Sequence, residues 1–261
     1  MNHVILLSMI FCALATTSVR AEVKTETVEY KQGDLTMEGY LAYDASSKDK
    51  RPGVLIVHDW KGLGEQSRKT AERLAAMGYV ALAVDMYGKG VRPETNEDAG
   101  KEAGKLKGDR ALLRARITVA LETLRANPNV DPKKIAAIGY CFGGTTVLEL
   151  ARSGADVLGV VSFHGGLDNP KPEDAKNIKC KVLVLHGADD KGVNKDVPAF
   201  QEEMRAAKID WRMISYGNAV HSFTNPAAGN DNSKGAAYNE LADKRSWEDM
   251  KMFFGEIFET K

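Results

Sequence analysis

The stretch GYCFGG, residues 139–144, follows the apolar run 135–138. Gly-x-Cys-x-Gly between a strand and a helix is the spacing of a sharp bend that lifts a nucleophile above the edge of a sheet, with Cys141 where a serine is more common. Gly139 and Gly143 matter because such a bend brings backbone segments very close together. At the N-terminus of the following helix, free N–H groups and the helix dipole favour a thiolate. The competing reading is a small buried cysteine filling a glycine-rich turn. The choice depends on whether the rest of the chain supplies a base and an acid in the right places.

Working outward, GVLIVH (53–58) is a continuous apolar run, as a strand buried on both faces would be. A loop (59–64) and a helical pattern (65–77) follow, stopped by Gly78. YVALAVD (79–85) is the next buried strand, and 88–108 reads as a polar, Gly-rich segment. Residues 109–126 place Leu112, Leu113, Ile117, Ala120, Leu121 and Leu124 on one helical face. Then come the strand IAAIG, a helix over 145–152, the strands VLGVVSF and CKVLVLHG, a helix over 197–207, the strand DWRMISY and a helical region over 234–258. Ahead of all these, TETVEY and LTMEGYLAY alternate apolar and polar, as edge or hairpin strands do. Strands alternating with helices predict one α/β domain with a mainly parallel sheet and right-handed crossovers. Sites in such sheets form beyond the carboxyl ends of the strands. The residues there are Asp59, Trp60, Asp85, Cys141, Asp190 and His221.

Serine and cysteine hydrolases with this bend carry their nucleophile, acid and histidine in that chain order. After Cys141, LVLHGADDKGV ends a strand in a loop carrying Asp189 and Asp190, and GNAVHSF carries His221 after the next strand. The acid orients the imidazole, and the imidazole takes the thiol proton. His58 and His186 end strands before tight loops and read as capping or packing residues. His164 follows VVSF, where it can line the cleft.

The stretches HDWKGLGEQSRKTAERLAAMGYVALAVDMYG, IAAIGYCFGG, VSFHGG, VLVLHGADD and HSFTNP together resemble the dienelactone hydrolase family, over about 28–258. The resemblance implies an α/β-hydrolase fold: a single domain with a mainly parallel central sheet flanked by helices. It carries a Cys–His–Asp triad onto Cys141, His221 and Asp190. Asp190 is preferred to Asp189 because His186-Gly187 sets the register of a His-Gly-x-x-Asp pattern. The oxyanion hole carries over to the backbone N–H groups of Trp60 and Phe142. Two departures bear on substrate binding. Asp59 stands where family members acting on dienelactone have a glutamate. Lys89 and Asn225 stand where they have two carboxylate-binding arginines, so the anion clamp is weakened. The implied activity is hydrolysis of a small-molecule ester or lactone through a thioester acyl-enzyme. No metal or organic cofactor is implied, and neither GYCFGG nor GLGEQS matches the G-x-G-x-x-G dinucleotide pattern. A peptidase or acyltransferase on the same fold, or a non-catalytic binding protein, are the alternatives.

Composition narrows the partners. The 261 residues hold 36 basic and 36 acidic side chains, so no net charge draws the chain to nucleic acid or a membrane surface. Residues 4–15 are apolar apart from Ser8 and Cys12, and Val19-Arg20-Ala21 closes a small-residue stretch. This reads as a signal peptide over 1–21, too short to anchor in a bilayer, leaving a domain over 22–261 that is periplasmic or secreted. That domain keeps Cys141 and Cys180. Cys180 opens its strand and Cys141 follows its own, at opposite edges of the sheet; a strand of about five residues spans roughly 16 Å, beyond the ~7 Å reach of a disulfide. Two free thiols are expected despite export.

Overall fold

The strands β1 (Val23–Gln32) and β2 (Leu35–Asp44) form an antiparallel hairpin at one edge of the sheet. β1 exposes most of its side chains, charged ones among them, which suits an edge strand. β2 pairs antiparallel with β4 (Val80–Val84), and from there every pairing is parallel. The remaining strands are β3 (Arg51–Val57), β5 (Val130–Tyr140), β6 (Gly159–Phe163), β7 (Lys181–Gly187) and β8 (Trp211–Tyr216), and the order across the eight-stranded sheet is β1-β2-β4-β3-β5-β6-β7-β8. This computed structural model describes residues 21–259, so the apolar run read as a signal peptide lies outside the described residues.

Helices cover both faces of the sheet. On one side α1 (Glu65–Ala76) and α7 (Glu240–Phe258) bury Leu74, Phe253 and Phe254 against Val54, Ile56, Ile138 and Val161. On the other, α3 (Arg110–Arg125), α4 (Phe142–Arg152) and α6 (Val197–Ala206) bury Ile117, Leu121, Val147 and Phe200 against Leu55, Ala137, Val160 and Val184. Two buried faces explain why the central strands read as unbroken apolar runs.

Three boundaries differ from the sequence reading. The segment read as polar and irregular contains α2 (Asn96–Gly108). Thr95 caps it by accepting from the Asp98 N–H, and Ala99, Ala103 and Leu106 are buried at helical spacing. Three glycines and a narrow apolar stripe mask that helix. α4 begins at Phe142, because the helix starts inside the glycine pair. In the C-terminal region, Asn232–Lys234 is a 3-10 turn and α7 starts only after Asn239, which caps it. A further short helix, α5 (Lys191–Asn194), follows β7.

The bend between β5 and α4 is as tight as the GYCFGG spacing implies. A Cβ on Gly139 would lie 2.0 Å from the Gly143 carbonyl oxygen, and one on Gly143 would lie 2.3 Å from the Val57 carbonyl oxygen. Gly100, on the exposed side of α2, has open space instead. Gly139→Ala should therefore lower stability by at least about 2 kcal/mol in urea unfolding. Gly100→Ala should be neutral or stabilising by up to about 1 kcal/mol. A Gly139→Ala protein as stable as wild type would contradict the close crossing.

Candidate active site

Cys141 lies between β5 and α4 with φ +53°, a left-handed backbone that a side chain other than glycine rarely adopts. Its own N–H is spent on the Phe163 carbonyl (3.0 Å), and its carbonyl accepts from Gly144 and Thr145. The strained residue is thus pinned from both sides, with its side chain only partly buried.

His221 sits in the loop after β8. Its backbone carbonyl accepts from the Ala237 N–H at 3.0 Å, which ties that loop to the segment before α7. Its Nε2 is 3.0 Å from Cys141 Sγ and its Nδ1 is 2.8 Å from Asp190 Oδ2. Asp190, at the end of β7, is buried, and its other oxygen accepts from the Gly192 and Val193 N–H groups to cap α5. Asp189 makes no such contact with His221; only its N–H is engaged, on the Ala219 carbonyl. The structure therefore brings Cys141, His221 and Asp190 together in the order read from the sequence.

Charge within this trio is ordered by burial and hydrogen bonding. Burial disfavours an imidazolium at His221, but hydrogen bonds to Asp190 and Cys141 outweigh it and push the ring up to about 10. Burial works against the Asp190 carboxylate too, yet the bond to His221 and the backbone N–H of Val193 hold it below its ordinary value. The arrangement favours a protonated ring beside the Asp190 carboxylate.

A cavity of about 560 Å³ opens over Cys141 and His221. Trp60, Phe142 and Val193 give it apolar walls, and Lys107 and Lys234 also line it, their ammonium groups paired with Asp168 (3.8 Å) and Asp231 (3.9 Å). The Trp60 and Phe142 N–H groups have no hydrogen-bond partner among the described residues.

The three residues matched to substrate binding lie elsewhere. Lys89 is half-exposed and pairs with Glu29 and Glu38 on the hairpin, so its ammonium is held away from the Cys141 cavity. Asp59 and Asn225 line a neighbouring cavity of about 540 Å³. Each turns a carboxylate or amide oxygen onto local backbone: Asp59 accepts from the Lys61 N–H (2.8 Å) and Asn225 from the Ala227 N–H (3.0 Å). The cations of the Cys141 cavity went unread because Lys107 ends α2, the masked helix, and Lys234 ends an irregular 3-10 turn. The Ala99, Ala103, Leu106 spacing was the signal that could have placed Lys107.

The remaining histidines and the second thiol are buried. His164 packs edge-on against His221, ring centres 5.3 Å apart, and shares a 2.8 Å hydrogen bond with Thr224 Oγ1. Burial and its neighbour His221 keep it well below the ordinary histidine value. His186 bonds Asn194. Cys180, at the opposite end of the sheet from Cys141, is a free thiol pushed up to about 12 by burial.

Comparison with known proteins places these features in context. The model of the dienelactone hydrolase family matches residues 37–258. A solved structure designated m3DLH shares 44% identity, covers 90% of this chain and 98% of its own, and superposes with a TM-score of 0.87. The crystal structure of a dienelactone hydrolase-like promiscuous phosphotriesterase from metagenomic libraries shares 40% identity over the same 90% and 98%, with a TM-score of 0.85. A Synechocystis sp. protein with the provisional name carboxymethylenebutenolidase is 26% identical over 252 residues, 89% of this chain and 97% of that protein.

The raised His221 ring has a consequence for stability. The folded imidazole keeps its proton to about pH 10, whereas the unfolded one loses it near 6.5. The stabilisation this provides is complete below 6.5 and is lost as pH rises through about 10. Asp190→Asn keeps the cap on α5 but removes the carboxylate. The wild-type advantage over Asp190→Asn in urea unfolding is expected to be largest at pH 6.5 and to shrink steadily toward pH 10. A gap that widens with pH would show that His221 is not held protonated.

Proposed function

The chain belongs to the dienelactone hydrolase family of α/β-hydrolases, and on that footing we propose that it cleaves a small-molecule ester or lactone with Cys141 as nucleophile. The observation that carries this reading is the continuous line Asp190 Oδ2, His221 Nδ1, His221 Nε2, Cys141 Sγ, with steps of 2.8 and 3.0 Å.

With the thiol's proton already held on Nε2, the sulfur attacks the substrate carbonyl as a thiolate. The negative charge that develops on the carbonyl oxygen is met by the Trp60 and Phe142 N–H groups, each such donor being worth on the order of 3 kcal/mol in the transition state. As the tetrahedral species collapses, His221 returns the proton to the departing alkoxide and a thioester remains on Cys141. In a lactone the alcohol stays tethered to the acyl group. Water then gives its proton to His221 and attacks the thioester. Collapse releases the carboxylic acid and restores the sulfur beside the protonated ring. Asp190 orients the ring throughout and offsets its charge.

We propose further that residues 1–21 direct export, so that the working protein starts at Glu22 in the periplasm or outside the cell. Intact-mass analysis of protein recovered from cells should find that N-terminus; a retained Met1 in the mature pool would refute it.

For the chemistry, a panel of neutral and carboxylate-bearing esters, each assayed with and without an added acceptor nucleophile, separates hydrolysis from acyl transfer. Cys141→Ala is expected to lower turnover by roughly three orders of magnitude or more, and His221→Ala to be about as damaging. The double variant should be no worse than either, because the groups act as a unit. Near wild-type turnover in Cys141→Ala would sink the mechanism. In the same panel Lys107→Gln should reduce kcat/KM for the anionic ester several-fold, since a partly exposed ammonium contributes at most about 1 kcal/mol. The neutral analogue should be unaffected, and Lys89→Ala should change neither. An effect of Lys89→Ala confined to the anionic ester would restore Lys89 to the site.

A further inference from the structure

The triad and its two backbone donors leave one buried ring without a role. His58 follows β3 directly and is fully buried. Its ring stacks on Phe142 (centres 5.8 Å apart) and meets Tyr87 edge-on (4.8 Å). Both of its nitrogens face backbone. The Met86 N–H approaches Nε2 at 3.2 Å. A backbone amide can only donate, so Nε2 is the acceptor and the ring proton stands on Nδ1. That Nδ1–H donates to the Asp59 carbonyl at 2.5 Å. Burial disfavours the charged ring, so the two backbone contacts select one neutral tautomer.

The Asp59 carbonyl is one end of the Asp59–Trp60 peptide, and the Trp60 N–H is the other. The peptide unit is planar and trans, so its C=O and N–H point in opposite directions. Holding the oxygen therefore aims the hydrogen. The surrounding bonds close off every alternative. The Gly62 N–H donates to the same Asp59 oxygen (3.3 Å), the Lys61 N–H donates to Asp59 Oδ1 (2.8 Å), and Tyr87 Oη donates to the Trp60 carbonyl (2.9 Å). The Trp60 N–H itself has no hydrogen-bond partner among the described residues, and Trp60 lines the Cys141 cavity. A hydrogen bond accepted at the carbonyl also polarises the peptide and strengthens its N–H as a donor.

We propose that His58 is a positioning residue for the reaction: as a fixed Nδ1–H tautomer it orients the Asp59–Trp60 peptide so that the Trp60 N–H meets the developing oxyanion. This rests on the reading of Trp60 as an oxyanion donor. It predicts an effect on acyl transfer to sulfur that is separate from the reactivity of the sulfur itself.

The test compares His58→Leu, which removes the donor, with His58→Gln, whose amide N–H can replace it. Two rates are read on each protein: single-turnover acylation of Cys141 by a p-nitrophenyl ester, and alkylation of Cys141 by iodoacetamide, which forms no oxyanion. His58→Leu is expected to slow acylation by about 10- to 100-fold with KM nearly unchanged, in the range seen when a supporting hydrogen bond is lost. Its alkylation rate should stay within about twofold of wild type, since no group touching Sγ has changed, and His58→Gln should recover most of the acylation rate. Wild-type acylation in His58→Leu, or acylation and alkylation falling in equal proportion, would overturn the proposal. Failure of the underlying nucleophile reading looks different, because esters would then be hydrolysed after Cys141 is alkylated. Should His58→Leu not fold, the wild-type protein still decides: NMR of nitrogen-labelled histidine is expected to find His58 protonated at Nδ1 and bare at Nε2. The reverse tautomer would sink the idea.

Discussion

The active site depends on a contact between two pieces of backbone. Gly143 in the first turn of α4 lies against the Val57 and His58 carbonyls at the end of β3, and Gly139 at the end of β5 lies against Gly143. No side chain fits between them. Because α4 is pressed onto the end of the neighbouring strand, its first N–H, that of Phe142, arrives beside the loop that carries Trp60. Both residues then line one cavity. Segments about eighty positions apart in the chain line one cavity because two glycines let the backbones touch. The strain at Cys141 follows from the same contact, since the chain must reverse within one residue to enter a helix so placed.

Around this rigid corner the polar groups are divided between holding and reacting. Asp190, His58, Tyr87 and the Phe163 carbonyl are committed to fixed bonds, whereas Cys141, His221, Trp60 and Phe142 line the cavity. Desolvation alone would make His221 a poor proton acceptor; its neighbours reverse that. The two lysines at the cavity lining each stand beside an aspartate, Asp168 and Asp231, in a chain whose overall charge is balanced. Local placement rather than composition sets the electrostatics of the site.

The fold and the trio were legible in the sequence for one reason. Strands buried on both faces are written as continuous apolar runs, and functional groups cluster just past their carboxyl ends. Cys141, Asp190 and His221 all sit at such positions, so identities and chain order pointed to the trio, while the choice of Asp190 over Asp189 came from the family resemblance. The helix α2 was not legible, because its apolar stripe is only Ala99, Ala103 and Leu106 and it carries three glycines. Missing it hid Lys107. Lys89 was matched to the site by the family resemblance, but a flexible ammonium goes to the nearest carboxylates, and Glu29 and Glu38 come from a hairpin that is distant in sequence. Asn225 and Asp59 are short polar residues beside open N–H groups, and local turns claimed both. His58 read as a packing residue. Its packing is real, and the significance of its nitrogens depends on Met86, which no local pattern connects to it.

Asp190 serves two masters with two oxygens. One is fastened to the start of α5 and the other to His221. A carboxylate anchored at one oxygen is hindered from pivoting, so the imidazole it holds keeps one bearing toward Sγ. In the proposed reaction the ring would give up and regain its proton from that single place, and the substrate rather than the ring would have to come into position.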